Sequence, residues 1–228
     1  MAHPSDPELL TLHTLRLAAR IEVAELAARA GLGEDETRAI LEGAADRGEV
    51  RELSGAAAGW ALTADGRRAD EARLAAELDG LGPGGGGGAG ADRRTARDVI
   101  ASVYESFRTI NPDLLALCTD WQVRVDVEPN VVKDHLEADY DAGGVERLAA
   151  PHAPTEKALV PLGGVLERFA GYLPRLRNAL AQVQGGDGDF FTKPMIDSYH
   201  TIWFELHEDL LATLGLDRAA EHDAGSAG

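Results

Sequence analysis

The stretch Gly80-Leu81-Gly82-Pro83-Gly84-Gly85-Gly86-Gly87-Gly88-Ala89-Gly90 divides this chain of 228 residues. Glycine loses more backbone freedom on ordering than any other residue, and nothing in this stretch can pack a core. Residues 80–91 are therefore predicted to be a flexible linker between an N-terminal module, residues 1–79, and a C-terminal module, residues 92–218. A loop expansion without a role would explain the glycines as well and would still leave two modules. A flexible linker transmits strain poorly, so any coupling is expected to run through docking or dimerisation.

The composition is that of a soluble globular protein, with 44% hydrophobic and 27% charged residues. No apolar run is long enough to span a membrane, and no signal peptide is visible at the N-terminus. Cys118 is the only cysteine, which excludes an internal disulfide and suits a reducing compartment. We therefore expect a cytoplasmic protein, with residues 219–228 forming a disordered tail.

Residues 6–79 follow a recognisable order of elements. A helix starts after Ser5 or Asp6, and Ile21-Glu22 is a brief extended step. A second helix ends at Gly31-Leu32-Gly33, and a third runs from about Glu34 to Arg47. Two short strands around a glycine-containing tip and a last helix follow. This is the order of a winged helix-turn-helix, so a mainly α fold is predicted, with three helices and a β-hairpin wing in front of a C-terminal helical bundle.

The N-terminal module resembles MarR-type and related bacterial winged-helix transcriptional regulators in four segments, which are Glu25–Leu32, Arg38–Leu41, Arg47–Val50 and Gly59–Arg67. The resemblance implies that the third helix enters the major groove of double-stranded DNA and that the wing contacts the backbone or the minor groove. By position, three residues are expected to face bases and three to lie near phosphates. The first three are Thr37, Arg38 and Glu42, and the others are Arg51, Arg67 and Arg68.

Charge argues against this implication and leaves a second interpretation open. The net charge is −17, and cations that neutralise phosphates supply most of the affinity for nucleic acid. The third helix carries five acidic residues against Arg38 and Arg47, and the wing tip has no cation. The N-terminal module is therefore expected either to bind DNA or to dock on a protein or dimerise. Because one winged helix with so little positive charge would bind DNA weakly, a homodimer is expected.

Much of the C-terminal module shows helical periodicity, whereas Val123–Val132 is predicted to be a loop or a short extended piece. Asn111-Pro112 is predicted to separate two helices, Pro151 and Pro154 to break a short one, and Thr155–Phe169 to be helical with a bend at Pro161. The final helix is predicted from Thr192 to Leu214.

Two histidines of that final helix fall on its apolar stripe, and three interpretations stay open. They are hydrogen-bonded core residues, part of a pocket for a small anionic or aromatic ligand, or part of a metal site. The predicted ligand-binding residues are Tyr104, Trp121, Tyr172, Tyr199, His200, Trp203 and His207. No second carboxylate–histidine pair accompanies Asp197 and His200, so no metal site is assigned.

The C-terminal module is similar to a little-characterised actinobacterial family in Asp120–Arg124, Gly186–Thr192, Ser198–Thr201 and Trp203–Leu210. Members of that family carry a winged helix in front, and some are linked to PEP-utilising enzymes such as pyruvate phosphate dikinase. The resemblance brings no catalytic residues. No phosphate loop, nucleophile elbow or calcium loop is present in the sequence, so neither an enzyme nor a cofactor is expected.

Together these observations predict a DNA-binding transcriptional regulator with a helical domain that senses an effector or dimerises. The alternative is a regulatory partner of a phosphotransfer enzyme, in which the acidic winged helix docks on protein.

Overall fold

The computed structural model describes residues 1–55, 58–82, 94–124, 131–132 and 138–216. Most of the predicted linker and the whole predicted tail lie outside the described residues. Within them the chain is mainly α-helical, with two small antiparallel sheets of two strands each. The helices are α1 (Pro7–Ala18), α2 (Val23–Ala30), α3 (Glu34–Asp46), α4 (Ala64–Gly80), α5 (Ala96–Gln122), α6 (Ala138–Leu159), α7 (Tyr172–Gln184), α8 (Asp189–Thr192) and α9 (Tyr199–Leu214). The strands are β1 (Val50–Leu53), β2 (Gly59–Leu62), β3 (Val123–Arg124) and β4 (Val131–Val132).

The N-terminal module consists of α1–α4 and the β1–β2 hairpin. Asp6 caps α1 by accepting from the Glu8 and Leu9 amides, and the left-handed Gly31 ends α2. In the hairpin Val50 pairs with Leu62 and Leu53 with Gly59. The extended step at Ile21 exchanges two backbone hydrogen bonds with Trp60, which ties α1 and α2 to the hairpin. One core serves all these elements, and its buried members are Leu12, Leu15, Ile21, Leu26, Leu41, Ala44, Val50 and Trp60.

In the C-terminal module, α5, α6, α7 and α9 pack around one apolar core. The helix α9 contacts both α5 and α7, and α6 lies along α5. Fully buried members of the core include Ile100, Leu114, Leu148, Leu166, Leu176, Tyr199 and Leu206. The module therefore buries one face of each long helix, as the periodicity predicts.

Four predictions of helix boundaries in this module were wrong. The helix α5 continues through Pro112, because Phe107, Leu114 and Leu117 are buried on one side of it and their packing outweighs the cost of an internal proline, about 3 kcal/mol. Asn111 does not cap a helix there, since its side-chain oxygen accepts a hydrogen bond from Trp203 Nε1 at 2.8 Å.

Similarly, α6 runs through Pro151 and Pro154, because Leu148, His152, Thr155 and Leu159 keep the helical spacing and are all buried. The predicted helix Thr155–Phe169 instead ends at Leu159, and two short 3-10 segments follow at Leu162–Gly164 and Glu167–Gly171. The last helix begins at Tyr199 and not at Thr192, with the Ser198 hydroxyl accepting from the Thr201 amide.

The two modules are docked on each other through α1 and α4 on one side and α9 on the other. Leu9, Leu74 and Ala212 form a small apolar cluster between them, and Leu78 of α4 belongs to the core of the C-terminal module. Near the N-terminus, His3 donates its amide to the Val165 carbonyl at 2.9 Å and accepts from the Glu167 amide at 3.0 Å. The described contacts therefore join the modules directly and do not depend on the glycine-rich stretch.

Candidate functional site at the module junction

An acidic face of α9 forms one side of the junction. Glu205, Glu208 and Asp209 are spaced three and four residues apart, so they project from the same side of the helix. Glu205 and Asp209 are buried, which is rare for carboxylates unless they are paired. Cationic side chains of the N-terminal module meet this face.

Three residues of the N-terminal module pair with those three carboxylates. His13 Nε2 lies 3.0 Å from Asp209 Oδ1, Arg16 Nε donates to Glu208 at 2.9 Å, and Arg29 Nη1 donates to Glu205 at 2.9 Å. Opposite charges from the two modules thus face each other along about one turn of α9, so the docking is electrostatically complementary.

His13 is almost completely buried at the junction, with 2% of its surface exposed. Its Nδ1 lies 3.3 Å from Asp70 Oδ2 on α4, so the ring stands between a carboxylate of each module. Burial alone would lower the pKa of His13, but Asp209 and Asp70 together raise the pKa to about 9. The imidazole is therefore a cation at neutral pH.

Asp209 receives several donors besides His13. Tyr172 donates its hydroxyl at 2.9 Å and Thr213 donates at 3.0 Å, while Arg168 Nε lies 3.6 Å away. Burial alone would raise the pKa of Asp209, but the His13 charge and these groups lower it to about 2. The pKa of Tyr172 is raised well above its ordinary value by burial and by the Asp209 charge, so its hydroxyl stays a donor.

Arg168 extends the network back to α4 and to the N-terminal segment. Its side chain is 5% exposed and pairs with Glu77, which is 6% exposed. It also donates to Ser5 Oγ at 3.2 Å and to Thr213 Oγ1 at 2.7 Å. A buried guanidinium with partners on three segments positions those segments relative to one another, because its donors have a fixed fork geometry.

A cleft of about 600 Å³ opens beside this network, lined by residues from both modules. Arg175 reaches its edge and donates to Asp197 at 2.8 Å and to Glu205 at 2.6 Å. Glu205 thus accepts from Arg29 of one module and Arg175 of the other.

The predicted DNA-binding residues do not form one cationic patch. Arg38 is exposed on α3 but pairs with Glu34, and Arg68 on α4 pairs with Asp65. Arg67 lies 3.8 Å from Glu208, on the side of the C-terminal module, while Arg51 is exposed on β1.

On α3, Glu42 is exposed, but the prediction for Thr37 must be corrected. Thr37 is fully buried, and its hydroxyl donates to the Gly33 carbonyl at 2.9 Å. It therefore faces the core and does not share the outer side of α3 with Arg38.

The predicted ligand-binding residues do not surround one pocket either. Most of them are rings in the core, stacked between α5 and α9. Trp203 lies 4.3 Å from Phe107 between ring centroids, and Phe107 lies 4.8 Å from His207. The rings of Tyr104 and Tyr199 extend this stack at its two ends, at 6.5 Å from His207 and from Trp203 respectively.

The other three of the seven predicted ligand-binding residues lie apart from this stack and from one another. Trp121 packs on Phe191, Tyr172 lines the cleft at the junction, and His200 lines a separate groove. His207 is thus a packed residue beside core rings. Across the described ranges, no group of three or more His, Cys, Asp or Glu residues is arranged to hold a metal ion.

Sequence analysis misses the junction network because its members lie on five helices, α1, α2, α4, α7 and α9, which are distant from one another in the chain. Two signals of the network were present in the sequence. Three carboxylates at helical spacing on an otherwise apolar helix require partners. The second signal was His13, which lies within the apolar face of α1.

No helix in the part of the chain that the structure describes combines the length and apolarity needed to cross a membrane. Comparisons with protein-family models, with curated proteins and with solved structures find no match for this chain.

Proposed function

We propose that this chain is a cytoplasmic transcriptional regulator, that its N-terminal module is a winged helix-turn-helix, and that it binds double-stranded DNA as a homodimer through α3. One observation carries the proposal. The C-terminal module docks on α1 and α4, whereas the outer side chains of α3, Arg38 and Glu42 among them, are exposed. The Ile21–Trp60 bridge and the β1–β2 hairpin beside the α2–α3 pair support the same assignment.

The charge of α3 determines what binding to expect. Five exposed carboxylates accompany Arg38 on this helix, at Glu34, Asp35, Glu36, Glu42 and Asp46. Few phosphate contacts mean a low affinity and a shallow dependence on salt concentration. Two half-sites read by a dimer compensate for the weakness of each one.

A second candidate function is favoured by the same charge. An exposed acidic helix suits a basic protein surface better than a phosphate backbone, because the charges are then complementary. In this candidate the N-terminal module docks on a protein partner, such as the phosphotransfer enzyme that the family resemblance implies.

DNA binding can be tested by fluorescence anisotropy at low ionic strength with a labelled duplex from the protein's own promoter region. If α3 enters the groove, Arg38→Ala weakens binding about tenfold, the effect of losing one groove contact. Lys193→Ala is the matched control, because Lys193 is also exposed and pairs with a carboxylate four residues away. Equal binding by both variants, or no binding by a confirmed dimer, would contradict the proposal.

Glu42→Arg separates the two candidates. In a DNA groove the reversal removes a repulsion and adds a cation, so duplex binding tightens. On a basic protein surface it creates a repulsion, so co-purification of a stoichiometric partner is lost. A variant that changes neither measurement excludes α3 from both roles.

A further inference from the structure

A second concavity lies between the modules, lined on one side by the end of α1 and by α2. We call it the apolar groove. Its volume is about 330 Å³, within the roughly 300–1,000 Å³ typical of small-molecule sites. Leu17, Ala18 and Ile21 line it from the N-terminal module, and Pro194, Met195, Ile196, His200 and Phe204 line it from the C-terminal module.

Two large apolar side chains of this groove are exposed to solvent. Met195 is 84% exposed and Phe204 is 51% exposed. Singly exposed apolar residues are ordinary, but two that line one concavity indicate a binding surface.

The backbone at Met195 is also strained. Its φ is 67°, in the left-handed region, which costs a residue with a side chain about 1–2 kcal/mol. Strain of this kind persists where the surrounding structure holds it, and it concentrates at ligand sites.

The polar groups of the groove indicate which ligand fits. His200 is half-buried, and burial lowers its pKa, so the imidazole is neutral and presents one donor and one acceptor. The charged lining residues are Arg20, Arg29, Glu25 and Glu205, two of each sign. Arg29 pairs with both carboxylates, at 2.9 Å to each, and Arg20 donates to the Ala58 carbonyl at 2.7 Å. The groove therefore offers no net charge to a ligand.

We propose that the apolar groove is a binding site for a small, uncharged, largely apolar aromatic compound that packs on Phe204 and hydrogen-bonds to His200. The ligand would contact the end of α1 and α9 at once, so it would add contacts between the N-terminal module and the C-terminal one. This deepens the proposed function by naming the effector class and its site, but binding itself does not depend on DNA recognition.

The test uses the full chain and N-phenyl-1-naphthylamine, an uncharged fluorescent aromatic amine. Titration is expected to show saturable binding with one site per chain. Phe204→Ala is expected to weaken it at least tenfold, and Ala18→Phe, which fills the groove from the other module, should do the same. Leu115→Ala and Val160→Ala are matched controls, because they remove exposed apolar side chains outside the groove, and they should leave the affinity unchanged.

Equal losses in the groove variants and the controls, or non-saturable binding, would overturn the site. Circular dichroism melting identifies a variant that fails to fold, and Phe204→Ala is the safer of the two since half of that side chain is already exposed. The sulfonated analogue 1-anilinonaphthalene-8-sulfonate tests the ligand class. It should bind at least tenfold more weakly, and equal affinity would overturn the assignment of an uncharged ligand.

The two proposals fail separately. Probe binding is measured without DNA, so its absence rejects the groove and leaves the role of α3 standing. Saturable probe binding by a protein that binds no duplex rejects DNA recognition and leaves the groove standing.

Discussion

His13 carries its charge between two carboxylates that belong to different modules. A histidine with a raised pKa stabilises the folded state fully below its unfolded pKa of 6.5 and loses that contribution as the pH rises through about 9. The neighbouring Asp209, whose pKa is lowered to about 2, contributes above 3.8 and loses its contribution only as the pH falls through 2. The junction is therefore strongest from about pH 4 to 6.5 and weakens on the alkaline side.

We expect the free energy of unfolding to fall by about 3 kcal/mol between pH 6 and pH 9.5, at 1.36 kcal/mol per pKa unit. The reason is that neutral His13 leaves two buried carboxylates without their shared cation. In His13→Gln the stability at pH 6 should be lower and the alkaline loss largely absent, as measured by urea unfolding at each pH.

His152→Gln is the control for this titration. Burial lowers the pKa of His152, so that residue gives no alkaline loss, and the variant should keep the wild-type slope. An unchanged slope in His13→Gln would show that some other group dominates the titration.

For individual residues, the sequence predicts which side chains are exposed better than it predicts which side chains they contact. The family resemblance implies that Thr37, Arg38 and Glu42 face DNA bases, and of these three Arg38 and Glu42 are exposed on α3. Thr37 is buried instead, because a threonine can satisfy its hydroxyl on the carbonyl four residues back. The partner of Asn111 is 92 residues away on α9, and local spacing carries no information on such a contact.

The position of α4 depends on a glycine rather than on the apolar pattern of the helix. Gly66 is buried in its first turn, where a Cβ would stand 1.8 Å from the Glu49 carbonyl oxygen. That close approach brings α4 against the residue that leads into β1. The sequence marks Gly66 only as a helical glycine, so this constraint could not be predicted from it.

Gly66→Ala should therefore destabilise the protein by about 2 kcal/mol or more, although alanine is the better helix former. The clash is with backbone, which has no rotamer to change. Gly80→Ala is the matched control, since a Cβ there meets nothing within 4 Å, and it should be neutral or stabilising by up to about 1 kcal/mol. Thermal unfolding of both variants measures the difference, and similar melting temperatures would contradict this packing.

The predicted helix boundaries are wrong where tertiary packing overrides a local signal in the sequence. Proline is a strong helix breaker in isolation. Pro112, Pro151 and Pro154 nevertheless lie inside helices that have buried residues both before and after the proline. The class of the fold is predictable because periodicity extends over many residues, whereas the end of a helix depends on one.

At the scale of the molecule, the junction is held by charged pairs that are largely buried. Arg16 is 8% exposed and Glu208 is 18% exposed, whereas Arg38 and Glu34 are both about half exposed. Screening by solvent limits an exposed pair to less than about 1 kcal/mol, and a buried pair that joins two modules escapes much of that screening.

A double-mutant cycle with Arg16→Ala and Glu208→Ala should give a coupling energy of about 1–2 kcal/mol in urea unfolding. The same cycle with Arg38→Ala and Glu34→Ala should give no more than about 0.5 kcal/mol, the value of an exposed helical pair. If the coupling energies are equal, the pair across the junction adds nothing beyond a surface contact.

The glycine run predicts a chain of two modules, but it does not predict which surfaces of the two modules dock. Periodicity predicts which face of α9 is apolar and leaves its acidic face unexplained. Only the fold brings α1 and α4 onto that face, because complementarity between distant helices is a property of their arrangement in space.

The backbone hydrogen bonds of His3 with Val165 and Glu167 affect how the chain would respond to proteolysis. Together with the ion pairs of α9, they join the N-terminal module to the C-terminal module by contacts between described residues. None of these contacts involves the residues between Gly82 and Arg94. A peptide bond broken by a protease in that interval would leave two fragments that still behave as one particle in solution.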